Sequence, residues 1–143
     1  MIENLLIGLT TVMDVSNLTF GLLGTILGII IGAIPGLTAT MGVALLVPVT
    51  FVLPPVTGLI MLSGIYCGAI YGGSVSAILL HAPGTPASIC TMKDGYVLTQ
   101  QGRAKEALSL AILASFIGGL LSSISLIFFS PILANFALKF GPF

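Results

Sequence analysis

No Asp, Glu, Lys or Arg occurs between Asp14 and Lys93, and none between Glu106 and Lys139. A membrane crossing needs roughly 20 apolar residues, so the block 15–92 holds two or three crossings and the block 107–138 holds one with some excess. Composition agrees: 57% of residues are hydrophobic and 6% charged, against about a quarter charged in soluble domains. With a mean hydropathy of +1.22, these figures exclude a soluble enzyme domain, a nucleic-acid binder and a disordered chain. Zero net charge supplies no field to attract DNA, RNA or an acidic surface. Cys67 and Cys90 form neither a C-x-x-C nor a metal-ligand spacing and read as free thiols. No basic n-region or early lipid-acceptor cysteine marks the N-terminus for cleavage.

Residues 1–14 suit a helix lying in the membrane interface, with Ile2, Leu5, Leu6, Leu9 and Met13 on one face and Glu3, Asn4, Thr10 and Thr11 mostly opposite. Ser16 and Asn17 read as a break. Leu18–Ile34 is then long enough, at about 26 Å, to be the first span. It stops at Pro35-Gly36, because proline disfavours a helical residue before it and glycine permits a left-handed one. Residues 38–53 form a thin crossing or a re-entrant helix, with Pro48 inside and Pro54-Pro55 closing it. Residues 57–80 cross with tilt, residues 81–106 form a polar loop region, and 107–129 is the last span. A separate short helix is expected over 131–138, since Ser130 can cap it and Pro131 suits its first position. The fold class is an all-α membrane protein: a polytopic helical bundle with discontinuous or re-entrant helices, in a single membrane domain. Lys93, Arg103 and Lys105 put the polar region on the cytoplasmic side. Three crossings before it place residues 1–14 outside, and a re-entrant second segment places them inside.

Glycine recurs every four residues at Gly24, Gly28, Gly32 and Gly36, and again at Gly64, Gly68 and Gly72. Such rows are expected to be helix-packing ridges, the device by which helices associate in lipid when hydrophobicity offers no drive. Two Pro-Gly breaks carry more chemistry: Pro35-Gly36 followed by Thr38, and Pro83-Gly84 followed by Thr85-Pro86. Each threonine is a candidate N-cap. A helix starting at such a break points unpaired N–H groups and its positive dipole end into the break. Lipid cannot satisfy those donors, so the breaks must face protein or a water-filled cavity. Discontinuous helices of this kind bind anions in secondary transporters. The blander alternative is a pair of surface turns. Ser74 and Ser76, in the Tyr71-Gly72-Gly73-Ser74-Val75-Ser76 stretch at the end of an apolar helix, could offer oxygen to a substrate or sodium ion. Serine in a membrane helix more often back-bonds to its own carbonyls. Lone His81 reads as interfacial, and no nucleophile, base and orienting acid come together at a suggestive spacing. We therefore expect no enzyme activity, cofactor or metal. The two breaks are expected to approach each other near the membrane midplane, with Pro35, Gly36, Thr38, Gly73, Ser74, Pro83, Gly84 and Thr85 facing the substrate.

Taken together, Gly32-Ala33-Ile34-Pro35-Gly36, Gly64-Ile65-Tyr66-Cys67-Gly68 through Tyr71-Gly72-Gly73-Ser74, Pro83-Gly84-Thr85-Pro86, Asp94-Gly95-Tyr96 and Gln101-Gly102-Arg103-Ala104 resemble the large membrane subunit of the tripartite tricarboxylate transporter family. The resemblance covers the chain from about Asn17 onward. It implies a bacterial inner-membrane uptake system in which a periplasmic substrate-binding protein delivers a carboxylate to a large and a small membrane subunit, driven by a coupling cation, sodium or proton, and not by ATP. Members of that family are roughly three times longer and contain a second related half. On that resemblance the chain reads as one repeat half of a secondary transporter, a fragment of a longer permease. His81 stands where the family usually has Asn, and Lys93 where it has an apolar residue. A non-transporting membrane scaffold, binding neighbouring helices through its glycine rows, is the alternative from a different class.

Overall fold

A computed structural model describes residues 2–138, with the side chains of 2–5, 131–132 and 134–138 left aside; Met1 and residues 139–143 lie outside it. The described residues form six helices: α1 (Ile2–Val12), α2 (Val15–Ala33), α3 (Ala39–Thr50), α4 (Pro55–Leu80), α5 (Ser88–Gln100) and α6 (Ala104–Leu138). Three are long and apolar enough to cross a membrane: α2, α4 and the stretch Ala104–Ser130 of α6. The chain divides into two compact units, Met1–Leu108 and the remainder from Ser109 onward, the second being most of α6.

Within the first unit, packing inverts the pattern of a soluble protein. The interior face of α2 is Gly24, Gly28 and Gly32, while Leu22, Leu23, Ile26 and Ile30 point outward. Large apolar side chains gain nothing by leaving lipid, and small ones let two backbones close up. A Cβ on Gly24, Gly28 or Gly32 would fall on the carbonyl oxygen of Met61, Ile65 or Ala69 respectively. One on Gly64, Gly68 or Gly72 would fall on the carbonyl of Gly21, Thr25 or Ile29. Both sets of partners ascend together, so α2 and α4 run parallel. Each helix presses its glycines against the other's carbonyls, a geometry that also permits Cα–H···O contacts.

Two parallel helices need a return path, and α3 supplies it. Gly42 near its start lies against Ile31 and Ile65, and Thr50 at its end lies against Gly58. Thus α3 carries the chain from the end of α2 back to the level at which α2 and α4 begin. Its 12 residues make about 18 Å of helix, and the non-helical segments at either end supply the rest.

At the starting level a buried polar pair ties three helices together. The Thr57 hydroxyl donates to Asn17 Oδ1 at 2.6 Å, and Asn17 Nδ2 donates to the Thr11 carbonyl at 2.7 Å. Both side chains are about 95% buried, each retaining 5% of its exposure. Asn17→Ala removes both bonds and strands the Thr57 hydroxyl, so the midpoint of thermal unfolding in detergent should fall by several degrees, equivalent to about 1–2 kcal/mol. An unchanged midpoint would mean that the pair contributes nothing to holding α1 and α4 to α2.

Several boundaries differ from those read in the sequence. Ser16 and Asn17 lie inside α2, and the break is Met13-Asp14, where Asp14 takes an extended conformation ahead of the helix. Asn17 had looked like a turn residue because its amide competes with backbone; here that amide is occupied by Thr11 and Thr57. The polar region 81–106 is not a loop throughout, since it contains α5. That helix is held by tertiary contacts: Gly95 packs on Ile78, and Thr99 Oγ1 donates to the Ile78 carbonyl at 2.9 Å. Nor is 131–138 a separate helix. α6 runs through Pro131 without interruption to Leu138; in an apolar surrounding a break would strand more carbonyls and N–H groups than the one bond proline forfeits. At the start of α6, Arg103 and Glu106 pair at 2.6 Å. The guanidinium holds the Glu106 carboxyl below the usual carboxylate range, so this exposed pair acts above that range and is lost as pH falls through the lowered pKa.

Candidate functional site

Beyond the end of α2, α4 continues alone from Gly73 to Leu80 and stops at His81, whose φ of 55° is left-handed. That conformation is unusual for a residue with a Cβ and turns the chain sharply. Residues 82–84 then run back along α4, and α5 leaves again in the same sense as α4. The second Pro-Gly break is therefore a re-entrant segment lying against the end of α2.

Gly84 is what permits it. A Cβ there would stand 2.6 Å from the Gly32 carbonyl oxygen, 2.9 Å from the Gly73 Cα and 3.2 Å from Ser76 Oγ. Gly73 is the matching hollow: a Cβ on it would meet Thr85 Cγ2 at 3.0 Å and Thr85 Oγ1 at 3.3 Å. Gly32, Gly73, Gly84 and Thr85 thus converge, drawn from two helices and the break, and all four are buried. They meet at the end of α2, not halfway along it, so the midplane expectation is revised to one end of the first span. The reason is the parallel register, which places Gly32 beside Ala69 and Gly72 and leaves the rest of α4 projecting past it.

Thr85 is 7% exposed, and its Oγ1 is the one buried side-chain polar atom without a hydrogen-bond partner among the described residues. Leaving a buried hydroxyl unsatisfied costs about 1–3 kcal/mol. The capping role expected of it falls to Ser88, working in the opposite direction. Ser88 Oγ accepts from the Thr85 N–H at 3.2 Å and donates to the Thr85 carbonyl at 2.7 Å. α5 itself starts after Ala87 with no side-chain cap. Because Pro86 already presets the first turn, Ser88 can reach back to Thr85, and the threonine hydroxyl is left over.

The first break is arranged differently. Thr38 caps α3, accepting from the Met41 N–H at 3.3 Å. Gly36 has φ 92°, which glycine adopts without strain, and has open space beside it; Pro35, Gly36 and Pro83 are all exposed. The exposed Pro35-Gly36 corner therefore does not join the buried cluster, which reaches α2 one turn earlier, at Gly32. Ser74 back-bonds to the Ile70 carbonyl at 3.4 Å. Of the two serines expected to offer oxygen, Ser76 lies beside Gly84 and Ser74 does not. Helical phase separates them, since residue 76 shares a face with 72 and 73 while 74 is rotated away. Ser88 was missed; its spacing of three from Thr85 is the signal that could have found it. Among the described residues no group of three His, Cys, Asp or Glu could hold a metal ion.

The chain is 45% identical over 141 residues to an uncharacterized 52.8 kDa protein in the TAR-I ttuC' 3' region of Agrobacterium vitis, covering 99% of this chain and 28% of that protein. The chain therefore spans little more than a quarter of the length of the curated relative it matches. No solved structure matches it. The tripartite tricarboxylate transporter TctA family matches residues 18–143, from the start of the glycine-lined α2 through both Pro-Gly breaks and α6. On that match the chain is a multi-pass membrane protein and belongs to the tripartite tricarboxylate transporter TctA family.

Proposed function

We propose that the chain is part of the membrane permease component of a binding-protein-dependent secondary transporter that takes up tricarboxylates or related carboxylates, driven by an ion gradient across the bacterial inner membrane. Its partners are a small membrane subunit and a periplasmic substrate-binding protein. One observation supports the site most directly: the re-entrant segment brings Thr85, with its unpartnered hydroxyl, to the end of α2 beside Gly73 of α4. Discontinuous helices in secondary transporters offer helix N-termini to anionic substrate groups and carbonyls or helix C-termini to the coupling cation. Here the starts of α3 and α5 are the N-termini, and the Gly32 carbonyl and Thr85 hydroxyl are neutral oxygens of the kind a sodium ion accepts. Between Asp14 and Lys93 there is no carboxylate to carry a proton and no Lys or Arg to receive a substrate carboxylate; His81 is the one imidazole. Backbone dipoles are then the local source of attraction, each end acting as about half a charge.

The scaffold alternative is separated by uptake. Cells carrying the chain within its complete transporter should lose at least about ten-fold of citrate or related carboxylate uptake with Thr38→Ala or Thr85→Val, while membrane level and co-purification of subunits stay constant; each change removes one hydrogen-bonding group worth about 1–3 kcal/mol. A scaffold would transport equally well with both.

Topology gives a second check. Since α3 returns the chain to its starting level, α2, α3 and α4 make three crossings before α5, and the positive-inside rule puts residues 93–106 in the cytoplasm and residues before α2 outside. A cysteine at Gln100 should resist an impermeant thiol reagent in intact spheroplasts; labelling there would reverse the orientation.

A further inference from the structure

Along one face of α5, residues 89, 93, 96, 97 and 100 follow helical spacing and border a groove of about 550 Å³ that His81 closes at the end of α4. Ile89 and Val97 are about half exposed on it. Between them is Lys93, exposed and engaged in no ion pair among the described residues. Asp94 lies about 100° round the helix and does not line the groove. The inner wall is the His81 ring stacked on Tyr96, centroids 4.3 Å apart and 6° from parallel. The stripe is thus apolar, cationic, apolar, with Gln100 at its far end.

Its level relative to the bilayer follows from the helices. The 19 residues of α2 measure about 28 Å, close to the roughly 30 Å of hydrocarbon in a bilayer. Because Gly32 is level with Ala69 and Gly72, the part of α4 from Gly73 to Leu80 projects past the end of α2 by about 12 Å. The headgroup layer is roughly 5–8 Å deep on each side. Lys93 precedes Gly95, which packs on Ile78 about 9 Å past the level of Gly72, so Lys93 stands within that layer, with His81 and Tyr96 at its water-facing edge and Ile89 earlier on α5, the end that starts beside Gly73.

We propose that this groove is a binding site for an anionic phospholipid, whose phosphate meets the Lys93 ammonium while the upper part of an acyl chain lies over Ile89. A soluble anion would use Lys93 but leave Ile89 in water, and a phosphatidylcholine would bring its own ammonium against Lys93. The inference rests on α2 and α4 spanning the bilayer and is independent of which substrate is carried.

The test uses the purified chain in detergent, with bound lipid counted by native mass spectrometry after incubation with phosphatidylglycerol or phosphatidylcholine. Phosphatidylglycerol should be retained in preference, and Lys93→Gln should weaken its retention about five-fold, since a basic residue near the surface contributes about 1 kcal/mol to anionic lipid binding. Ile89→Ser should weaken it too, and millimolar inorganic phosphate should not displace it. Arg103→Gln, outside the groove, should leave retention unchanged. Equal retention of the two lipids, wild-type retention by Lys93→Gln, an equal loss with Arg103→Gln, or displacement by phosphate would each overturn the proposal. Circular dichroism of every variant confirms that helix content is kept, and a Lys93→Arg variant that retains the lipid excludes a folding defect at that position.

Discussion

Gly68→Leu is expected to prevent the first unit from assembling. Gly68 abuts the Thr25 carbonyl so closely that even a single methyl would overlap it, and the Ile29 nitrogen would be 3.0 Å away. Backbone atoms of a helix cannot step aside individually, so the whole of α2 would have to move off α4. Overpacking a well-filled core costs typically 1–3 kcal/mol, and more where the obstacle is backbone. We expect a loss of about 3 kcal/mol or more, visible as low yield and a much lower unfolding temperature in detergent, with Gly28→Leu behaving alike from the other side of the contact. Gly118→Leu in α6 provides the control, because open space surrounds Gly118. Unchanged yield and unfolding temperature for both Gly28→Leu and Gly68→Leu would refute the contact.

Thr85→Val should have the opposite effect on stability and a severe one on transport. Valine keeps the branched shape that fills the hollow at Gly73 and removes only the hydroxyl, which has no partner to lose. Replacing an unsatisfied buried polar group by an apolar one of the same shape is neutral or favourable, here by up to about 1–2 kcal/mol. A protein that becomes more heat-resistant while uptake collapses has given up a group retained for use. Thr85→Ser should recover part of the uptake, since it restores the oxygen. If instead Thr85→Val lowers the unfolding temperature along with uptake, the hydroxyl is part of the framework and the site assignment fails.

Membrane helices were legible wherever uncharged length and glycine spacing coincided, as in α2 and α4. Their relative direction was not: two rows with a four-residue step mesh equally well parallel or antiparallel, and only the partners of Gly24 and Gly64 distinguish the two. The antiparallel return through α3 was equally hidden, because a 12-residue helix with an internal Pro48 fits both a thin crossing and a re-entrant loop. α5 escaped because its residues, with Lys93, Asp94 and Gly95 in the middle, carry turn signals; what makes them helical is Ile78 on a different helix. In the buried cluster, Gly73, Gly84 and Thr85 could be named from local motifs, and so could Thr38, which caps α3 at the other break. That Thr85 would be left without a partner depended on Ser88 taking over its backbone, a competition settled only when the first turn of α5 forms.

The contact between α2 and α4 also limits how this unit can move. Most helix pairs meet through side chains, which change rotamer and let one cylinder slide smoothly along the other. Here the teeth are carbonyl oxygens and the notches are missing side chains, repeated every four residues. Between one match and the next, a carbonyl would have to ride over a residue that has a Cβ. Large displacements along the axis are therefore stepped like a ratchet, about 6 Å apart, with the registers between them disfavoured. Any gating stroke passing through these residues must carry the two helices together as one strut, and leave the bending to the strand of chain that doubles back beneath His81.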